Sequence, residues 1–250
     1  MPMHRLLAGA GTAVAFAIMV TGCSSSKPSS PGITQQPPAT AKQPAASGGP
    51  SSPAGGSGSV PTGTKLKTLT PTAKDLPHGW KLDNASNFDT GATVKTPSAP
   101  LLPGESCAKA MTNGGAKTLT DDYQASYAEQ GLKTPNDTSS DLVFNGYQPG
   151  DAVKQMNEVS ALAKRCAHFT TQALGGKTVK MTTKATALAH LGDQALDVKV
   201  TPTGPYVADE IILVRSGNVI MAMDADSQSG PMPALKPLAT RLAKRLPLKS

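Results

Sequence analysis

Cysteine is scarce in this chain, and none of its apolar stretches is long enough to cross a membrane. The three cysteines are Cys23, Cys107 and Cys166. The longest apolar run, Leu6–Val20, has 15 residues, whereas a helix needs about 20 to span a hydrocarbon core of about 30 Å. We therefore expect no membrane-spanning helix.

The sequence also lacks the motifs that mark common catalytic, nucleotide-binding and metal sites. It has no G-x-S-x-G nucleophile elbow and no Gly-rich phosphate loop after a predicted strand. Three histidines have no short metal-binding spacing among them: His78, His168 and His190. Asp224–Gly230 is like a calcium loop, but Ser229 and Leu235 stand where an EF-hand needs glycine and glutamate. We expect no metal, no cofactor and a polar loop at 224–230.

The N-terminus contains the pattern of an export signal. A short basic segment, Met1–Arg5, precedes the apolar run, and Val20-Thr21-Gly22-Cys23 follows it. The tetrapeptide resembles a lipobox, which implies that residues 1–22 are removed and that the sulfur of Cys23 carries a diacylglyceryl group. Each buried CH₂ contributes about 0.8 kcal/mol of membrane affinity, so two acyl chains anchor stably. We expect a lipoprotein on the extracytoplasmic face of the cell membrane; an ordinary secreted protein is the alternative.

Residues 23–64 are predicted to form a disordered linker after the lipidated cysteine. From Ser24 onwards the segment is almost wholly Ser, Pro, Gly, Ala, Thr and Gln, with two branched aliphatics and two lysines. Such a composition cannot bury enough apolar surface to offset the entropy of ordering. Its span would be about 35 Å if flexible and up to about 120 Å as polyproline II. A glycosylated stalk is an alternative use of the same composition.

Charge is concentrated in residues 65–250, which are long enough for one domain with a substantial core. This segment holds 21 of the 24 basic residues and all 17 acidic ones. The excess is modest and argues against nucleic-acid binding. The acidic pairs Asp121-Asp122 and Asp209-Glu210 have no visible partner, and we expect them to be solvated. Five basic residues and no acid lie after position 231: Lys236, Arg241, Lys244, Arg245 and Lys249.

That basic C-terminal segment allows two interpretations. Its lysines and arginines fall opposite a leucine stripe, as on any surface helix packed over a sheet. Alternatively, they attract the segment to anionic lipid or to a wall polymer.

The pair Cys107 and Cys166 is expected to form a disulfide, because an exported chain reaches an oxidising compartment. Closing a loop of about 60 residues would stabilise the fold by about 4 kcal/mol in the chain-entropy model. A redox-active pair is the alternative, but no C-x-x-C motif supports it.

Hydrophobic periodicity predicts an antiparallel α+β domain with one long packed helix and a C-terminal helix. The long helix should start with Asp151 as its N-cap, carry Cys166 and His168, and end at Gly175-Gly176. The final helix should span 233–246, and a short helix 105–112. Residues 81–103 are expected to be irregular. Strands are predicted at 123–127, 142–148, 178–183, 195–200, 210–215 and 218–223, the last two joined by a Gly/Asn turn; Tyr123 and Tyr127 would also suit a helix.

Several short segments resemble one family. They are LPHGW (76–80), SCAKAM (106–111), ALAKRCAHF (161–169), LGDQALDV (191–198) and VRSGNVIMAM (214–223). Together they resemble actinobacterial cell-envelope lipoproteins and kinase ectodomains of the PknH-like extracellular sensor family, over 74–246. The resemblance implies a mixed α/β sensor domain with a central cleft that accepts a ligand. Family members often carry two disulfides, whereas this chain has cysteines for one, and it contains no kinase of its own.

The function predicted from sequence is therefore non-enzymatic binding of a ligand or partner outside the membrane. The ligand class stays open among small molecules, lipids and cell-wall components, and the oligomeric state is not predicted. A carrier of an apolar envelope molecule is the alternative, which would need an apolar cavity between sheet and long helix. A hydrolase is the third. The candidates for a ligand site are Trp80, His168, His190 and Asp193, each of which also has a structural interpretation as a core, surface or turn residue.

Overall fold

The computed structural model describes residues 59–247, apart from 97–98, 113–114, 174 and 229. All of the described residues belong to one compact unit of the chain, Pro50–Ser250. The signal segment, Cys23 and almost all of the predicted linker lie outside the described residues. Within the described part, no helix is long and apolar enough to span a membrane.

Eight strands among the described residues form a single antiparallel sheet, which confirms the predicted antiparallel α+β class. They are β1 Lys81–Asp89, β2 Gln124–Lys133, β3 Ser139–Tyr147, β4 His168–Gln172, β5 Thr178–Ala187, β6 Gln194–Pro202, β7 Asp209–Ser216 and β8 Val219–Asp226. Their order across the sheet is β1-β2-β3-β8-β7-β6-β5-β4. The predicted turn between β7 and β8 is present, with Gly217 at a φ of 58°.

Helices cover both faces of this sheet. On one side, which we call the α5 face, lie α1 (Gly63–Lys67) and α5 (Leu235–Ala243). On the other side, the α4 face, lie α2 (Cys107–Thr112), α3 (Gly115–Thr118) and α4 (Asp151–Arg165). Because the central strands are covered on both sides, β8 has five consecutive buried residues from Val219.

The space between α4 and the sheet is filled with apolar side chains. Val159 and Leu162 of α4 pack in one buried cluster with Val198, Ile211 and Leu213 of the sheet, each no more than 2 % exposed. A second cluster fills the α5 face, where Leu238 and Leu242 pack against the other side of the strands. Burial on this scale stabilises the fold by about 25 cal/mol per Å² of apolar surface.

The predicted disulfide is present. Cys107 and Cys166 are bonded, with their Cα atoms 5.4 Å apart. The bond joins the first residue of α2 to the residue that caps the C-terminus of α4. Cys166 is fully buried, whereas Cys107 is only partly buried.

The predicted end of the long helix is wrong. Helix α4 stops at Arg165, and residues 168–172 form β4, so His168 lies on a strand. The sequence His-Phe-Thr-Thr-Gln favours a strand through its aromatic and β-branched residues, although the spacing of Phe169 and Ala173 also suits a helix. Gly175-Gly176 lies in the turn of the β4–β5 hairpin.

Two further local predictions differ from the structure, and one short helix was not predicted. The N-cap of α4 is Gly150, at a φ of 88°, and Asp151 is the first helical residue. Residues 81–89 form β1 rather than an irregular segment, because a polar edge strand with a bulge between Asp83 and Asn87 shows no apolar alternation. Gly115 begins α3, a short helix that the sequence analysis did not predict.

Candidate functional site

A polar cleft of about 280 Å³ opens on the α4 face, where the start of β7 and the end of β8 meet α2 and α3. Its described lining combines backbone and small side chains with four aspartates. The lining residues are Met111, Thr112, Gly115, Ser139, Ser140, Asp141, Asp209, Ile211, Asp224, Ala225 and Asp226.

The four aspartates come from three neighbouring strands. Asp209 at the start of β7 is the direct cross-strand partner of Asp226 at the end of β8. Asp141 of β3 lies beside Asp224 of β8, since the backbone N–H of Asp141 donates to Asp224 Oδ1 over 2.8 Å. Like charges directly opposite each other on a sheet are destabilising. The fold therefore carries an electrostatic cost at this place.

Asp224 is held rigidly by backbone donors. Besides Asp141, the backbone N–H of Ala116 in α3 donates to Asp224 Oδ2 over 2.9 Å. A Cβ on Gly115 would lie 1.8 Å from the same oxygen, so only glycine lets α3 approach this closely. The absence of a side chain at position 115 is therefore required for the packing of α3 against Asp224 in the cleft.

Burial changes the acidity of three of these groups. It raises the pKa of Asp209 to about 7, helped by the negative charges of Asp226 and Asp224. Burial also raises the pKa of Asp224 to about 6, against the opposing effect of its two backbone donors. The pKa of Asp141 is raised by burial and by the charge of Glu129. The cleft therefore changes its charge near neutral pH.

Basic groups close to the cleft form ion pairs with acidic residues that do not line it, and one of them also donates to the lining residue Ser139. Lys117 pairs with Glu129 over 3.3 Å. Lys133 contacts Asp83 over 3.5 Å and Ser139 over 2.9 Å. No basic side chain belongs to the described lining. When Asp209 and Asp224 are ionised, the cleft is a site of concentrated negative charge with hydrogen-bond acceptors and few donors.

The carboxylates of the cleft can accept hydrogen bonds from a positively charged group and pair with its charge. Among the described residues, no three His, Cys, Asp or Glu side chains converge closely enough to hold a metal. The described lining contains no histidine to activate Ser139 or Ser140 as a nucleophile. A volume of about 280 Å³ lies just below the usual range for drug-sized ligands and would take a small molecule.

The candidates predicted from sequence lie away from this cleft. Trp80 is 8 % exposed and packs in the core of the α5 face. Asp193 accepts hydrogen bonds from the backbone N–H of Gly217, over 2.8 Å, and from the side chain of Arg215, over 3.2 Å. It therefore connects the loop between β5 and β6 to the turn between β7 and β8. His190 lies in the same turn as Asp193.

His168 lies far from that turn. It is exposed on β4 and pairs with Thr182, five residues before the end of β5 at Ala187. Five residues of strand span about 17 Å. The structure therefore does not bring His168 together with His190 and Asp193.

Sequence reasoning missed the aspartates of the cleft. Asp224 and Asp226 were assigned to a loop, but they belong to β8. The period-two pattern continues through Met-Asp-Ala-Asp, and this signal could have placed both on one face of the strand. Asp209, expected to be solvated, is partly buried, because it lies beside Asp226 and Asp224 of the adjacent strand, which are distant from it in sequence. Asp122, also expected to be solvated, is 6 % exposed and accepts hydrogen bonds from the backbone of residues 101 and 102.

Comparisons with known proteins show similarity at the level of fold. No protein-family model and no curated protein matches the chain. Among solved structures, the crystal structure of the extracellular domain of PknH from Mycobacterium tuberculosis is similar, with a TM-score of 0.52 and 12% sequence identity. The match covers 75% of this chain and 97% of that one. The described domain therefore shares its fold with that extracellular domain.

Proposed function

We propose that this chain is an extracytoplasmic lipoprotein whose folded domain binds a small, positively charged ligand without converting it chemically. The observation that carries the proposal is the cleft in which Asp141, Asp209, Asp224 and Asp226 meet, with no basic side chain in its described lining. A cation bound there would offset the repulsion between carboxylates that the fold otherwise sustains.

The proposed location outside the membrane is supported by the N-terminal sequence, the disulfide and the fold. The signal-like N-terminus and the lipobox-like sequence before Cys23 support lipid anchoring. The disulfide between Cys107 and Cys166 fits an oxidising compartment. The likeness in fold to an extracellular domain agrees with both. Mass spectrometry of the protein purified from membranes tests this part: we expect an acylated Cys23 at the N-terminus, and an unmodified chain with residues 1–22 attached would refute it.

Binding of a cation should be coupled to protons. The ionised carboxylates attract the ligand, and the pKa values of Asp209 and Asp224 are raised to about 7 and about 6. A bound cation would lower both pKa values, so binding releases protons near neutral pH. Affinity should therefore rise as the pH is raised through this range.

The apolar-carrier alternative finds little support in the packing. It requires a cavity between the sheet and α4, where Val159, Leu162 and Ile211 are all buried in contact. A hollow of about 460 Å³ does lie beside α4, lined by Leu102, Pro103, Ala161 and Leu162 together with Glu158 and Arg165. It is an open groove along the flank of α4 that faces residues 102–103, bounded by two charged side chains, rather than an enclosed apolar chamber.

A thermal-shift screen tests the ligand class. The purified protein is heated with putrescine, spermidine or arginine, and with succinate as an anionic comparison. A ligand that binds only the folded state raises the melting temperature with its concentration. We expect at least one amine to do so and succinate not to.

Two variants assign any such shift to the cleft. Asp209→Asn combined with Asp226→Asn removes the facing pair of charges and should abolish the shift. Asp137→Asn removes one charge from an exposed turn at a φ of 62°, which asparagine tolerates, and should keep it. No amine effect beyond that of succinate, or an undiminished effect in the double variant, would overturn the proposal.

A further inference from the structure

The α5 face carries a strongly basic outer surface. Two segments form its helical layer, residues 59–80 and 230–247, and together they hold seven basic residues and one acidic residue, Asp75. We call these two segments the basic layer. Its basic residues are Lys65, Lys67, Lys74, Lys236, Arg241, Lys244 and Arg245.

Much of this charge is exposed and not neutralised. Arg245 pairs with Asp75 over 2.7 Å, and Lys67 pairs with Asp89 over 2.9 Å. The remaining lysines are exposed, and within the described part of the chain none of them forms an ion pair: Lys65, Lys74, Lys236 and Lys244. The layer therefore presents several free ammonium groups to solvent.

The geometry of the helices sets the direction of these charges. Leu66 of α1 and Leu238 and Leu242 of α5 are buried against the sheet. The polar sides of both helices consequently point away from the sheet. The acidic cleft opens on the α4 face, on the opposite side of the sheet from this positive charge.

The chain also enters the domain through the basic layer. Pro61 lies against this side of β2, where its carbonyl accepts a hydrogen bond from Ser126, and Thr62 caps α1. The residues that would carry the lipid anchor precede this point in the chain. The entry of the linker and the excess of positive charge thus coincide on one surface.

We propose that the basic layer docks on the anionic phospholipid surface of the membrane that carries the anchor, with the acidic cleft facing away from it. This inference rests on the lipid anchor of the proposed function but not on the ligand of the cleft. Each basic residue near an anionic membrane strengthens binding about fivefold. The attraction extends only over the Debye length, about 8 Å at physiological ionic strength and about 3 Å at 1 M salt.

Energy transfer in proteoliposomes measures this docking. The full-length lipid-anchored protein is reconstituted into vesicles of phosphatidylcholine alone or of phosphatidylcholine with phosphatidylglycerol, each containing an acceptor-labelled lipid. A donor dye is attached through Thr240→Cys on the exposed side of α5. A second preparation carries the dye through Lys164→Cys, exposed on α4 at the opposite face.

We expect transfer from position 240 to rise on anionic vesicles and to fall again at high salt, with a smaller rise from position 164. Lys236→Glu with Lys244→Glu should weaken docking at least about 25-fold and abolish the rise. The matched reversal of exposed lysines outside the layer, Lys164→Glu with Lys177→Glu, should leave it unchanged.

Four results would overturn the proposal. Equal transfer on neutral and anionic vesicles, with the protein still attached, would refute docking while leaving the anchor intact. A rise that survives the reversal at positions 236 and 244 would show that the basic layer is not responsible. No attachment to either kind of vesicle would refute the lipid anchor and the docking with it. Binding to a soluble anionic wall polymer, but not to anionic vesicles, would assign the basic layer to that polymer.

Discussion

Removing the disulfide by Cys107→Ala should lower the stability of the domain by an amount that the sequence separation sets. The bonded cysteines are 59 residues apart, and cross-linking a loop of this length stabilises the folded state by about 4 kcal/mol in the chain-entropy model. For a domain of this size, each kcal/mol changes the melting temperature by about 2 to 4 °C. We therefore expect the variant to melt about 8 to 16 °C below the oxidised protein.

Cys107 is the better of the two positions for this test because it is only partly buried. Cys166 is fully buried among the side chains of α4 and the sheet, so Cys166→Ala would add the cost of a cavity to the loss of the bond. The wild-type protein melted in reductant provides the matched comparison, and it should melt close to Cys107→Ala.

Calorimetry, combined with thiol titration, checks the prediction. In Cys107→Ala the thiol of Cys166 should react slowly in the folded protein, because it is buried, and fully after unfolding. A variant that melts within about 2 °C of the oxidised protein would contradict the loop-entropy reasoning.

Two further predictions concern the cleft. Asp209→Asn should stabilise the protein at about pH 8 and leave it nearly unchanged at about pH 4, because the folded state raises the pKa of this carboxyl from 3.8 to about 7 and so disfavours its ionised form. The pKa difference corresponds to about 4 kcal/mol of unfolding free energy, and we expect about half of it because the carboxyl is partly exposed. Urea unfolding at both pH values measures the gain in stability. An equal gain at both pH values would contradict the raised pKa of Asp209. Gly115→Ala should cost about 2 kcal/mol or more, since its Cβ would lie 1.8 Å from Asp224 Oδ2 at a φ of 51°. Gly150→Ala is the control, because Gly150 has a φ of 88° and no atom within 4 Å of an added Cβ, so only the backbone conformation costs free energy there. Equal losses of stability in the two variants would show that Asp224 does not constrain position 115.

Local patterns were sufficient for most of the fold. Alternating apolar residues predicted β5 to β8, and the turn at Gly217 predicted the hairpin between the last two. Spacings of three and four predicted the body of α4 and α5. These signals are local because strand and helix periodicities are set by neighbours in sequence.

The errors arose where tertiary contacts decide between local alternatives. Residues 166–173 carry apolar side chains at helical spacing, but pairing with β5 through the Gly175-Gly176 turn makes 168–172 a strand. Strand β1 has no apolar alternation because it is an edge strand, and its pairing with β2 is what defines it.

The candidate site depended on register rather than on motif. Asp209 and Asp226 are 17 positions apart in sequence, and only the pairing of β7 with β8 places them opposite each other. The approach of α3 to Asp224 is equally non-local, since it joins residues about a hundred positions apart. Short-range spacing carries no information about either contact, which is why the weak candidates taken from sequence were different residues.

The central claim, that the acidic cleft binds an organic cation, is tested most directly by titrating spermidine into the purified protein in a calorimeter at about pH 8 and about pH 6. We expect saturable binding that weakens at the lower pH and releases protons. It should survive Asp137→Asn and be lost when Asp209 and Asp226 are both changed to asparagine. Binding that is absent at both pH values, or that is equally strong in the doubly substituted protein, would contradict it.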